Sequence, residues 1–378
     1  MSAPLDARLR EALARPDDEG PMGRGVRVLL EDAAASGVSD VHLNPSAAGL
    51  EVLYRLDGVL QPRARIDPER SERFLGKVKV LAGLLTYRKD IPQDGAIPAS
   101  ESGGRTDVRV SFFPTVQGEK AVLRFFLHGE EKFELDRLGF PAAAVERLRA
   151  AAAKPDGVLL LTGPSGSGKT TTIYALLAEI VRPGGVLRHV VTIEDPVEHA
   201  VPGITQTQVN PAAGLTFAAS LRALLRQDPQ VIMVGEIRDR ETARVALEAG
   251  LTGHLVISTL HTGTAAGVVT RLFEMGAEPH VLTASLSLVL AQRLARRRCP
   301  ACRSGCEACR GTGYRGRQVF GELLAVDDVL RKAIGEAPSR ERLEEIAVAR
   351  GMSPLRAEAA RLVKEGATTE EEVKRVLG

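Results

Sequence analysis

The sequence has no apolar run approaching the ~18 residues that a membrane-spanning helix needs, and no apolar core behind its opening M-S-A-P-L-D. It therefore offers neither a spanning segment nor a secretory leader, and a cytoplasmic protein is expected. Charge of one sign is also scarce. Fifty Lys and Arg against 48 Asp and Glu leave a formal +2, which argues against a protein that coats nucleic acid over its whole surface. Cysteine is confined to Cys299, Cys302, Cys306 and Cys309, within the stretch C-P-A-C-R-S-G-C-E-A-C. In a reducing compartment such a cluster points to metal ligation over disulfides. The remainder is ordinary for a globular protein, 44% hydrophobic and 26% charged, with length enough for two domains over 378 residues.

Patterning divides the chain. Residues 1–24, rich in Arg, Asp, Glu, Pro and Gly, read as a flexible leader with room for one short helix. A smaller α+β domain is expected over 25–130: a helix at 26–35, strands at 40–45 and 50–60, a helix at 69–85, and strand character again in D-V-R-V-S-F-F-P and K-A-V-L-R-F-F-L. A linker over 131–141 leads to a second domain, 142–378. There the apolar runs G-V-L-L-L-T-G, H-V-V-T-I-E-D, Q-V-I-M-V-G-E and H-L-V-I-S-T-L alternate with helical patterns at 170–181 and 240–250. Buried strands alternating with helices predict an α/β fold with a doubly wound parallel sheet. An arginine- and cysteine-rich element spans 293–317, and 325–378 reads as short charged helices.

Between the first of those strands and its helix, Gly163, Pro164, Ser165, Gly166, Ser167, Gly168, Lys169 and Thr170 fit G-x-x-x-x-G-K-[ST] without a mismatch, with Thr171 following. Such a loop turns backbone N–H groups toward phosphate oxygens at a helix N-terminus. Lys169 is expected on the β/γ-phosphates and the Thr170 hydroxyl on Mg²⁺. Hydrolysis also needs an acid at a neighbouring strand tip. Glu236, ending V-I-M-V-G-E, is the candidate for polarising water, and Glu194, Asp195 and Glu198 stand at another tip. For each of these acids the alternative is a solvated strand-end carboxylate. His254 and His261 flank the strand L-V-I-S-T-L, with Thr259 and Thr262 nearby; a histidine there can sense a γ-phosphate or serve structure alone.

These motifs, with S-D-V-H-L-N-P, Y-R-L-D-G-V-L, P-Q-D-G, P-T-V-Q-G-E-K-A-V-L-R, I-E-D-P-V-E-H, R-Q-D-P-Q-V-I-M-V-G-E-I-R-D, T-G-H-L-V-I-S-T-L-H-T and A-Q-R-L-A-R-R-R-C-P-A-C, resemble the secretion ATPase superfamily, specifically the type II secretion and type IV pilus assembly motors. The resemblance implies a homo-hexamer holding ATP between an N-terminal PAS-like domain and a RecA-like domain. Glu194 and Glu236 match its catalytic acids, His254 and His261 its histidine box, and Arg109 and Arg124 the arginines that reach the γ-phosphate. It further implies work on an inner-membrane platform protein and associated cytoplasmic-face secretion or pilus proteins, with membrane contact only through them. The family's Glu and Asn are replaced here by Asn44 and Gly263, and its long N-terminal docking domain is not matched, as expected of a truncated or naturally short relative. Two other readings stay open: a motor for pilus retraction or DNA uptake, and a nucleotide-dependent ring scaffold without turnover.

Two C-x2-C pairs read as a four-thiolate zinc site, a feature that the resemblance implies for assembly motors. Only Arg303, Ser304 and Gly305 separate the pairs, and Gly305 permits the sharp turn this requires. The spacing fits no common iron–sulfur run, and four reduced, unligated thiols are the other alternative. Eight arginines against one acid over 293–317 would offset thiolate charge or dock an acidic partner. Tyr314 is the only aromatic among them, which disfavours a nucleic-acid surface.

Overall fold

The computed structural model describes residues 4–14, 20–102, 107–125, 133–182, 184, 187–302 and 304–378. The chain divides into two units, Met1–Glu131 and Lys132–Gly378.

The first unit opens with α1 (Leu5–Ala14) and α2 (Gly20–Ser36). β1 (Asp40–Ser46), β2 (Gly49–Leu56), β3 (Val59–Ile66) and α3 (Pro68–Leu81) follow. β4 (Gln93–Ile97), α4 (Ala99–Ser102), β5 (Val108–Thr115) and β6 (Gly118–Phe125) complete it. Its antiparallel sheet runs β3-β2-β1-β6-β5-β4. Strict alternation sets its faces: Val108, Val110 and Phe112 of β5 point into the core, so Arg109 between them points out. The same parity in β6 buries Ala121, Leu123 and Phe125 and exposes Arg124.

Two expectations are corrected here. The stretch 50–60 is not one strand but two, because Asp57 and Gly58 take left-handed φ values of 48° and 84° and turn the chain between β2 and β3. The leader is helical at 5–14 and again from Gly20, and Leu5, Leu9 and Leu13 are buried in the unit's core. The i, i+4, i+8 spacing of these leucines forms one apolar stripe that the charged composition of the segment masks. Leu9→Ala is expected to destabilise the first unit by about 2–4 kcal/mol, the range for an emptied leucine site. Denaturant unfolding measures it; an unchanged midpoint would show that α1 does not pack.

In the second unit, α5 (Ala142–Ala152) precedes β7 (Gly157–Thr162), α6 (Lys169–Ile180), β8 (Val190–Glu194) and β9 (Thr205–Gln208). Next come α7 (Phe217–Leu224), β10 (Val231–Val234), α8 (Arg240–Leu251), β11 (Leu255–Leu260), α9 (Ala265–Glu274) and α10 (Pro279–Ser285). β12 (Leu286–Arg298), β13 (Tyr314–Ala325), α11 (Asp328–Gly335), α12 (Arg340–Ala349), α13 (Leu355–Lys364) and α14 (Glu370–Leu377) end the chain. The sheet order is β13-β12-β7-β11-β10-β8-β9, parallel except for β13 against β12. Every residue of β7, β8, β10 and β11 is buried, as a sheet covered on both faces requires. Within the segment read as a linker, Leu135 and Phe140 pack into this unit's core; residues 131 and 132 lie outside the described set.

The long β12–β13 hairpin is absent from the sequence reading. In L-S-L-V-L-A-Q-R-L-A-R-R-R the arginines hide the strand, and the group that makes Arg296 tolerable lies 76 residues away. Both Nε and Nη2 of Arg296 donate to the Glu372 carboxylate of α14, at 2.9 and 2.7 Å, and Arg375 adds a third clamp. Glu372 is 1% exposed, and burial alone would raise its pKa; the two arginines and the Arg296 N–H outweigh burial and pull it down to about 2. A depressed carboxylate stabilises the fold above its unfolded pKa of 4.5, and the contribution disappears as pH falls from there toward 2. Glu372→Gln is therefore expected to cost roughly 2–3 kcal/mol at pH 7. The gap from the parent protein should narrow as pH falls below about 4.5 and close near pH 2, and a gap independent of pH would contradict the charge account.

Candidate nucleotide cleft and four-cysteine centre

Parallel strands deliver their following loops to one edge of the sheet, and here that edge carries a cleft of about 510 Å³. The loop after β7 forms one wall. Gly163, Gly166 and Gly168 take φ values of 143°, 74° and 89°, and α6 begins at Lys169, so the N–H groups of its first turn face the cleft. Ser165, Gly166, Ser167, Gly168, Lys169, Thr170 and Thr171 line it, and Thr170 is exposed to it. Lys169 is folded back, its Nζ donating to the carbonyls of Gly163 at 2.8 Å and Pro164 at 3.1 Å. Burial lowers its pKa below the ordinary lysine range, Glu236 opposes the shift and Arg293 reinforces it. A cation so placed gains by meeting an anion.

The acids occupy the opposite wall. Glu194 ends β8, 4% exposed, and takes hydrogen bonds from the Tyr174 hydroxyl at 2.5 Å, the Thr192 hydroxyl at 2.5 Å and Gln206 Nε2 at 2.9 Å. Its position is fixed, and its oxygens are largely occupied. Glu236, just beyond β10, is freer. It pairs with Arg238, and His261 Nε2 lies 3.5 Å from its second oxygen. Asp195 and Glu198 line the same space, and Asp195 Oδ2 lies 3.7 Å from Arg238. The sheet thus brings together Lys169, Thr170, Glu194, Asp195, Glu198, Glu236, Thr259 and His261.

Other residues named from the sequence stand elsewhere. His254 precedes β11 while His261 follows it, so the two histidines sit at opposite ends of a six-residue strand, roughly 20 Å apart. The His254 ring contacts the Ala249 carbonyl at 3.1 Å and does not line the cleft. Thr262 is bonded to Thr162, its N–H to Oγ1 at 2.8 Å. Arg109 and Arg124 belong to the first unit, where they are cross-strand partners on one exposed face. Asp40, beside Arg124 on β1, accepts from Arg124 Nε at 3.0 Å and lies 3.3 Å from Arg55 Nε, completing a transverse row of Arg55, Asp40, Arg124 and Arg109. Of the two replaced family positions, Asn44 keeps a buried Oδ1 without a partner, and the Gly263 carbonyl accepts from Arg293.

Sequence reasoning missed Arg238, which pairs with Glu236, and Phe217, Leu294 and Arg317 of the cleft wall. Arg238 was legible in principle, two residues beyond Glu236 in G-E-I-R-D. Leu294 and Arg317 come from the β12–β13 hairpin, which was not expected there.

At the far end of that hairpin the four cysteines converge. Sγ separations are 3.8 Å for Cys299–Cys306, 3.5 Å for Cys302–Cys309 and 3.7 Å for Cys306–Cys309. These are too long for disulfides, and they match the edge of about 3.8 Å that a tetrahedron of thiolates 2.3 Å from a central zinc would have. Gly305 makes the tight joint: its φ is 133°, and a Cβ there would come within 2.7 Å of the Gly311 carbonyl oxygen. For Cys309, burial favours the thiol. The N–H groups of Cys306 and Gly313, at 3.1 and 3.3 Å from its Sγ, reverse that preference and bring its pKa down to about 6. The donor set is one that could hold a metal ion.

Comparison with known proteins agrees with this geometry. The family described as Type II/IV secretion system protein matches residues 15–375. The chain is 43% identical to the type IV pilus assembly ATPase PilB of Thermus thermophilus, over 94% of this chain and 43% of that protein. It is 42% identical to the type II secretion system protein HxcR of Pseudomonas aeruginosa, over 95% of this chain and 78% of that one. The chain thus spans less than half of the first relative. Among solved structures, the pilus retraction motor PilT with bound ADP aligns over 93% of this chain and 96% of its own, at 28% identity and a TM-score of 0.66. The second unit is accordingly RecA-like, and the chain belongs to the type II/IV secretion system protein family.

Proposed function

We propose that the chain is the ATP-hydrolysing subunit of a motor that assembles a pilus or pseudopilus. The observation that carries this reading is the confrontation, across one cleft, of a phosphate-binding loop with Glu236 and His261. Lys169 would leave the Gly163 and Pro164 carbonyls for the β/γ-phosphates, and the loop N–H groups would hold the remaining oxygens. The exposed Thr170 hydroxyl and the carboxylates opposite offer the hard oxygen ligands Mg²⁺ takes, and the ion when bound would neutralise phosphate charge. Glu236 would orient a water and take its proton as the water oxygen attacks the γ-phosphorus; the bond to the bridging oxygen breaks, and ADP keeps that electron pair. Glu194, fixed by three donors, would hold the acidic wall in place. His261, beside Glu236, is placed to register loss of the γ-phosphate.

The finer parts of the reading rest on kinship. A ring of six, with Arg109 and Arg124 reaching the γ-phosphate, follows from the resemblance to assembly motors, as does action on an inner-membrane platform protein at the cytoplasmic face. No helix among the described residues is long and apolar enough to cross a membrane, which fits contact through partners. The four thiolates would hold one structural Zn²⁺, with no open position for water.

Glu236→Gln is expected to lower ATP turnover by about 10²-fold or more while ATP still binds, as removal of a group acting on the attacking water should. Phosphate release together with solution mass measures this, and a six-fold mass is expected. Turnover that survives the substitution would remove Glu236 from the chemistry. ATP binding without turnover in the assembled parent protein would favour a ring scaffold. Metal analysis of the same preparation should give one zinc per chain and much less in Cys306→Ser; a zinc-free, active protein would refute the metal assignment alone.

A further inference from the structure

Gln292 and Arg293 lie midway along β12, and neither side chain lines the cleft. Both are buried behind the phosphate loop. Gln292 is fully buried, and its Nε2 donates to the backbone carbonyl of Ser167 at 2.8 Å. A Cβ at Gly163 would come within 2.5 Å of the Gln292 carbonyl oxygen and 3.1 Å of Arg293 Nη1. One at Gly168 would lie 3.1 Å from Gln292 Nε2. The loop is therefore seated directly on this pair of residues, at both of its glycine ends.

Two further observations concern polarity. Gln292 Oε1 and Ser167 Oγ are both buried without a hydrogen-bond partner. An unpaired buried polar atom is costly, and a pair of them at one contact marks a place where shape alone is not what the sequence serves. Arg293 is 9% exposed. Its Nη1 donates to the Gln292 carbonyl at 2.9 Å and its Nη2 to the Gly263 carbonyl at 2.7 Å. Gly263 follows His261 by two residues. Glu322, the acid nearest in charge to Arg293, is otherwise engaged: its two oxygens accept from the N–H groups of Ala265 and Leu355, at the starts of α9 and α13.

We propose that Gln292 and Arg293 are positioning residues for the phosphate site. Gln292 fixes the curvature of the phosphate loop through Ser167. Arg293, packed against Gly163 at the start of that loop, ties β12 to the segment after β11 that carries His261. The inference rests on the nucleotide-site reading above, and the two can fail separately.

The test uses the full chain and a fluorescent N-methylanthraniloyl-ADP. Saturable binding by the parent protein is expected; none at all would overturn the nucleotide reading, and this inference with it. Gln292→Met keeps the side-chain shape and removes both polar atoms. It should weaken binding by about three- to tenfold, the factor carried by one neutral hydrogen bond, with the melting temperature unchanged. Binding within twofold of the parent, or weakening matched by a lowered melting temperature, would overturn the positioning role. Should that variant not fold, Gln292→Asn retains the amide but not the reach to Ser167, and the same two outcomes apply. Arg293→Lys keeps the charge and loses the fork. It should lower kcat several-fold with KM for ATP little changed, whereas proportional changes in both, or none, would remove Arg293 from the proposal.

Discussion

A cluster of N–H donors and one buried ammonium, held at the edge of an apolar sheet, is the constraint on which the second unit depends. Positive potential of this kind is unfavourable in a low-dielectric setting unless it is answered. In the structure Lys169 answers it in part by turning onto the carbonyls of its own loop. The remainder is met across the cleft by carboxylates at the tips of β8 and β10. That these groups meet at all follows from parallel strand order, since every loop from strand to helix emerges on the same edge. The four fully buried strands are the scaffold, and the cleft residues stand at their ends and in the loops and helix starts that follow them.

The β12–β13 hairpin joins places that the sequence keeps apart. Its middle supports the phosphate loop, its inner edge contributes Leu294 and Arg317 to the cleft, and its tip holds the four cysteines. Glu372 of α14 secures it from the other side through Arg296, whose guanidinium also stacks over Tyr314 at 4.1 Å. The four cysteines gather at the tip of the hairpin.

Much of this was legible in the sequence for physical reasons. Strands buried on both faces read as short apolar runs, and the phosphate loop imposes its glycines and its lysine at fixed spacing. The strands that carry Arg109 and Arg124 were placed from their apolar residues, and the outward direction of both arginines follows from the alternation in β5 and β6. What escaped depended on partners distant in sequence. Arg296 looks solvated until Glu372 is placed beside it, and a strand of arginines then becomes possible. The α1 leucines look like part of a charged leader until the core they enter exists. His254 and His261 were both candidates because both flank one strand; strand direction places His261 at the cleft and His254 at the opposite edge. Asp40 and Arg55 joined the arginine row only once the register between strands was fixed.

The central claim, that this one cleft binds ATP through its loop and Lys169, is tested most directly by calorimetric titration of Mg²⁺–ATP into Glu236→Gln protein, beside the same protein carrying Lys169→Ala. The account predicts saturable binding to the first and its loss, or near loss, in the second. Equal binding to both would place the nucleotide elsewhere and contradict the account.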